Sequence, residues 1–301
     1  MANNFTNGYA DLFQRALDQQ MVQEATTGWM DANAGQVIYN GGKNVKVPKM
    51  TLDGMGDYSR ANGYPAGGVT LAYESFTLSQ DRGTKIMLDA MDVDETNFVA
   101  SAGAVMSEFQ RTQVVPEIDA YRLSKIATAA IAGTNQAEYG YTPAKATIAD
   151  KLLEAIGKVK EAGFRNMPLV IHATTEVVTA LAQARVANAG EVSFTQAGLT
   201  TTVPAIDGIP IIETDSARMV SAITVSSTNG WAKATGAKDV NFIVMPRIAP
   251  IAISKQDNMK IFTPNENQTA DAWLCEYRRY HDLWLMDNKK TGIYANIKSA
   301  Q

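Results

Sequence analysis

Between Asp81 and Gly133 the apolar positions Phe98, Ala102, Val105, Met106 and Phe109 recur at steps of three and four. That spacing puts them on one face of a helix and predicts that the face is buried. Asp92 followed by Glu95 reads as a capping pair, and Asp94 adds negative charge to the first turn, so the helix is expected to start near Asp92. Pro116 has no N–H and clashes with the turn before it, so it ends or kinks this helix, while Glu117 and Asp119 suit the first turn of another. The pattern predicts two consecutive helices or one kinked helix, running through Ile118, Tyr121, Leu123 and Ile126 to a stop at Gly133.

The rest of the chain divides around this segment. Residues 1–34 carry Phe5, Tyr9, Leu12, Phe13, Leu17 and Met21 in a partly amphipathic pattern, which predicts an arm with one short helix that needs another surface to pack on. Residues 35–88 switch to strand-like alternation on either side of a Gly- and Pro-rich middle, with a turn signal at Asn40-Gly41-Gly42. A long two-stranded excursion is marginal by itself in water and is expected to find its partner on a neighbouring subunit. Residues 143–234 read as helix, strand, helix, strand. Thr147 with Asp150 fits a capping box, Ile148, Leu152, Ile156 and Val159 form a stripe, and Gly163 stops the helix. MPLVIHA is a buried strand, and the next helix ends at Asn188 to Gly190. A loop follows around Phe194 to Val203, and Asp207-Gly208 introduces a strand. Residues 235–301 are β-rich, with turn signals at Pro264 to Gln268 and Asp287 to Lys290.

The run RGTKIMLDAMDVDETNFVASAGAVMSEFQRTQVVPEIDAYRLSKIA resembles the spine region of major capsid proteins of tailed bacteriophages with the HK97-type fold. A second resemblance lies in the β-rich stretch from Val240 to Ala295, and the likeness extends from about residue 35 onward. It implies an α+β fold with an N-terminal arm (1–34), an extended β-hairpin loop (35–88), a peripheral domain with the spine helix (89–142 and 235–301) and an axial α/β domain (143–234). It further implies self-assembly as pentamers and hexamers into an icosahedral head that encloses double-stranded DNA. The implied location is the virion, with assembly in the host cytoplasm. Expected partners are further copies of the chain, a portal protein and decoration proteins. Only about 30 residues precede the extended loop, so a separate scaffolding protein is expected. An encapsulin-like compartment is the nearest alternative, and a soluble α/β enzyme is a more distant one.

Composition fits a packed protein, with 46% hydrophobic and 19% charged residues. A formal net charge of −4 disfavours tight tracking of phosphates. Cys275 is the single cysteine, so no intrachain disulfide can form and a reducing compartment is expected. No apolar run reaches the length of a membrane span, and the first residues lack the pattern of a signal peptide. His172 falls where a strand meets a helix, but no nucleophile, Walker or metalloprotease motif accompanies it, so it is expected to be non-catalytic. His281 and Cys275 read as packed strand residues, and no catalytic, cofactor or metal site is expected. Asp53 and Asp57 lack a calcium ladder and read as turn residues. Lys43, Lys46 and Lys49 are expected to meet a neighbour's acidic surface. Some shells of this fold join a loop lysine to an asparagine, but nothing in this sequence marks that chemistry. Arg111, Arg122 and Lys125 could face DNA, yet Glu108 and Asp119 stand three residues before Arg111 and Arg122, where helical pairing suffices.

Overall fold

The computed structural model describes residues 25–37, 44–61, 63–89, 91, 102–184, 189–196, 198–226 and 230–300. The expected arm helix, the Asn40-Gly41-Gly42 turn, the Asp92 cap and Phe98 lie outside these residues.

The spine runs without a break as α1 (Ala102–Phe109), a π turn (Gln110–Val114) and α2 (Val115–Ala132). Pro116 therefore does not end the helix. The π turn just before it loosens the hydrogen-bond ladder where the ring would otherwise meet a carbonyl four residues back. Met106, Ile118, Leu123 and Ile126 are buried, Val105, Phe109 and Tyr121 are half-buried, and Gly133 caps the end as expected.

A hairpin of β1 (Asn44–Leu52) and β2 (Val69–Thr77) stands as a two-stranded sheet. The chain then enters β3 (Gln80–Asp89), which pairs with β13 (Ala272–Leu285), itself paired to β12 (Pro250–Phe262). The alternating stretch expected as one side of the loop is thus two strands, broken at Leu78 and Ser79.

A seven-stranded sheet has the order β4-β14-β11-β5-β8-β7-β6. Its members are β4 (Ala137–Tyr139), β5 (Leu169–Thr174), β6 (Ala189–Gln196), β7 (Leu199–Ile206), β8 (Ile209–Thr214), β11 (Val240–Pro246) and β14 (Tyr294–Ile297). A small pair, β9 (Ile223–Val225) and β10 (Trp231–Lys233), lies beside it, and α5 (Asp287–Lys290) precedes β14. Because β4, β11 and β14 come from outside 143–234, the expected domain boundaries do not coincide with the sheets. Phe194 to Val203 is a hairpin and not a loop: Val192 and Phe194 turn the same face inward, with Phe194 buried. The preceding helix, α4 (Thr175–Ala184), is described only as far as Ala184, and Gly190 is already in β6. Asp207 and Gly208, at φ 52° and 72°, make the tight turn between β7 and β8.

In α3 (Ile148–Val159) the expected stripe is buried, and Gly163 takes φ 102°, which only glycine adopts without strain. The capping box does not form. The Thr147 hydroxyl lies 2.9 Å from that of Tyr141 instead. One core places α2 beneath Trp29, Met30 and the strands β11, β12 and β13, and another places α3 and α4 on the seven-stranded sheet. No helix among the described residues is long and apolar enough to cross a membrane.

Buried polar groups then seat the segment 25–37 on the spine. Arg111 pairs with Glu108 at 2.6 Å as the spacing suggests, but Asp119 and Arg122 do not pair with each other. Asp119, fully buried, accepts hydrogen bonds from the N–H and hydroxyl of both Thr26 and Thr27 at 2.5–3.1 Å, and from Arg218 at 3.2 Å. Arg122, 1% exposed, makes a bidentate pair with Asp31 at 2.7 and 3.1 Å and donates to the Thr27 carbonyl. Arg122 is therefore not available to DNA in this conformation. Local spacing loses here because distant partners supply more hydrogen bonds than one helical turn can. Asp119→Ala leaves Arg218 and four donors without their acceptor, and is expected to lower unfolding free energy by about 3–5 kcal/mol in chemical denaturation. A loss below about 1 kcal/mol would contradict this arrangement.

Candidate assembly surface

Strand register sorts the hairpin's side chains onto two faces. On one, Val45 lies opposite Phe76 near the base, and Lys49 opposite Ala72 farther out. The base of this face is buried: Val45, Val47, Phe76 and Leu78 pack with Ile251, Ile253 and Trp284, and Phe76 stacks on Trp284 at 5.3 Å. On the other, the cross-strand pairs are Pro48–Tyr73, Met50–Leu71 and Leu52–Val69. Met50, Leu52, Val69, Leu71 and Tyr73 are each 57–64% exposed. Six apolar side chains form one continuous ladder that no other described residue covers. Contiguous apolar surface of this kind marks a site of association.

The direction of the hairpin is fixed at its root. Asp282, 1% exposed, accepts hydrogen bonds from the Ser79 N–H (3.0 Å) and hydroxyl (2.9 Å), from Tyr121 (2.8 Å) and from Lys125 (2.5 Å). One carboxylate therefore ties the β2–β3 junction to both the spine and β13. Lys125 is engaged here and does not stand free on the spine. Farther out, Lys49 lies 3.7 Å from Glu74 and 3.4 Å from Asp287, so acidic side chains of its own chain engage it. Lys46 is exposed, and Lys43 lies outside the described residues. Asp53 accepts the Gly68 N–H at 2.8 Å, as a turn residue does. Asp57 is exposed in the same tip. Among the described residues, no group of three or more His, Cys, Asp or Glu is placed to hold a metal.

The remaining candidates from the sequence are in the core. His172 is fully buried in β5, where Nε2 accepts the Trp29 indole N–H at 3.1 Å and Nδ1 lies 3.3 Å from the Thr214 hydroxyl. No substrate can reach it in this conformation. It serves as an anchor for the 3₁₀ segment Gly28–Gln36. Cys275 packs with Met106, Met259 and Tyr277, and burial pushes its thiol up to about 11. His281 is buried edge-on against Tyr121. Sequence reading missed Asp282 and Trp29 and gave Asp119 the wrong partner, because their roles come from residues more than 90 positions away.

This architecture, with a projecting hairpin, a long spine and two sheets, matches solved structures along most of its length. A chain from Mycobacterium phage Che8 superposes with a TM-score of 0.61 at 14% identity, covering 86% of each chain. The bacteriophage PhiM1 mature capsid gives 0.59 at 10% identity, over 87% of this chain and 83% of that one. The capsid of cyanophage P-SCSP1u gives 0.55 at 11% identity, over 88% and 86%. The chain has the HK97-type phage capsid fold. No protein-family model matches the sequence, and no curated protein does. At these identities the likeness is one of fold, and the capsid fold places the apolar ladder on an element that leaves the body of the subunit.

Burial holds His172 neutral, with its pKa lowered to about 3. In the unfolded chain the ring takes a proton below about 6.5, so stability is full above that value and declines as pH falls toward the folded value. Between about pH 6 and 4 the protein is expected to lose stability more steeply than His172→Gln, by up to about 1.4 kcal/mol per pH unit. Parallel pH profiles for the two proteins in urea denaturation would contradict the buried neutral ring.

Proposed function

We propose that this chain is the major structural protein of a phage-type head, self-assembling as pentamers and hexamers into an icosahedral shell that encloses double-stranded DNA. The observation that carries this reading is the six-residue apolar ladder of the hairpin, which no other described residue covers. Capsid structures among the similar folds support the same conclusion. The chemistry is association. Contacts of ordinary size, roughly 1,200–2,000 Å² each, sum to a stable shell while single errors still dissociate. Head-to-tail contacts that close into rings give the geometry. A scaffolding protein directs closure, a portal protein occupies one vertex, and decoration proteins bind the finished surface. The DNA is enclosed without sequence-specific contacts, in keeping with a net charge of −4. The virion is the location.

Negative-stain electron microscopy of the protein alone, and then with its scaffolding partner, tests the reading. Closed shells, rings or tubes are expected, with nuclease-protected DNA in shells filled in the presence of a portal. A small monodisperse oligomer under both conditions would overturn it, and uniform closed shells from the protein alone would remove the scaffolding protein from the proposal. Leu71→Asp places a charge in the middle of the ladder. It is expected to leave subunit stability within about 0.5 kcal/mol, since the site is exposed, while abolishing assembled particles in sedimentation. Normal particles from this variant would show that the ladder is not the contact.

A further inference from the structure

The hairpin of β1 and β2 has two open edges, and they differ. The Asp53 N–H donates to the Gly68 carbonyl at 3.1 Å, one step beyond the Leu52–Val69 pair. Bonded and non-bonded pairs alternate along an antiparallel ladder. Thr51–Thr70, Lys49–Ala72, Val47–Glu74 and Val45–Phe76 are therefore the bonded pairs, and Val69, Leu71, Tyr73 and Ser75 turn their N–H and C=O groups away from β1. Pro48, which has no N–H, stands opposite Tyr73, where pairing with β2 requires none. Among the described residues nothing pairs with the outward groups of β2. We propose, on the reading of a self-assembling shell, that this edge of β2 takes up an extended strand from a second copy of the chain.

β1, β12 and β4 are edge strands too, and each is blunted. β1 carries Lys46, Pro48 and Lys49. β12 has a register shift between Ser254 and Gln256 and carries Lys255 and Lys260, and β4 is three residues long. Lysine, proline, irregular register and shortness all discourage a further strand. β2 has none of these features. It runs VTLAYESFT for nine residues, about 30 Å, without a register shift, and its one charged side chain, Glu74, lies 3.7 Å from Lys49. The occupant follows from continuity with the apolar ladder. Val69, Leu71 and Tyr73 present exposed apolar side chains to one face and open main chain to the edge, so a copy lying across that face also reaches the edge. The added strand makes β2 central and lifts the hairpin out of the marginal two-stranded case. Main-chain bonds hold the contact, and the ladder side chains select the partner's register.

Ser75 is exposed and is not one of the six ladder residues, so it tests the edge separately from the face. Ser75→Pro removes one outward N–H and sets a ring against an incoming strand, while the bonds to β1 remain, as they do at Pro48. Ser75→Ala keeps the N–H. In the assembly reaction of the wild type, read by sedimentation, Ser75→Ala is expected to match the wild-type particle yield. Ser75→Pro is expected to fall about tenfold or more below it, with its subunit unfolding at an unchanged urea concentration. Equal yields from all three proteins would overturn strand addition and leave the shell reading standing, whereas particles from none would overturn both. Ser75→Cys carrying a benzophenone maleimide gives a second reading that does not depend on the proline variant, because Cys275 is buried. Irradiated particles are expected to yield an adduct of twice the subunit mass. An adduct to a different protein, or none, would overturn the second copy as occupant.

Discussion

A two-stranded sheet has two faces to cover, and this subunit supplies a core for only the root of one of them. Val45, Val47 and Phe76 reach the core around Trp284. Beyond Lys49 and Glu74 that face turns polar, and the opposite face is apolar from Pro48 to Leu52 with no cover among the described residues. Such an element is marginal by itself, and in the proposed assembly a second copy covers it. The rest of the structure serves this requirement. The spine and the three-stranded sheet form a rigid base, and the hairpin leaves that base in a direction set by Asp282.

Four buried polar side chains do most of the setting. Asp282 ties Ser79 to the spine, Asp119 and Arg122 seat Thr26, Thr27 and Asp31, and His172 holds Trp29. Removing a charge from water is expensive, and these carboxylates are tolerable because several donors converge on each. The return is geometric. An apolar contact can slide, whereas a carboxylate with four or five directed partners fixes position. An assembling subunit needs that property where its extended segments depart, because small angular errors at the root become large displacements at the tip.

The helices were largely legible in the sequence. Ile148, Leu152, Ile156 and Val159 are buried as their spacing predicts, and Gly133 and Gly163 end helical runs where expected. Local chemistry was legible as well: Asp207-Gly208 makes a tight turn, and Glu108 pairs with Arg111. Long-range choices were not. Asp119 and Arg122 have ideal spacing for each other, yet both bond residues in the 26–31 segment. Thr147 offers a cap and bonds Tyr141 instead. The membership of β4, β11 and β14 in one sheet depends on pairing partners that no local pattern encodes. Pro116 was ambiguous because its effect depends on the turn before it, and a π turn resolves the clash.

Of the candidate surface, the sequence indicated the hairpin and its lack of a local core. It did not indicate which face would be bare, because register decides that and a shift of one residue exchanges the faces. The most direct measurement is amide hydrogen exchange across residues 44–77 in isolated subunits and in assembled particles. If another copy covers the ladder, the strand amides from Met50 to Tyr73 exchange readily in the subunit and become strongly protected on assembly, while the spine changes little. Equal exchange in both states would contradict the account, since the hairpin would then complete its structure without a partner.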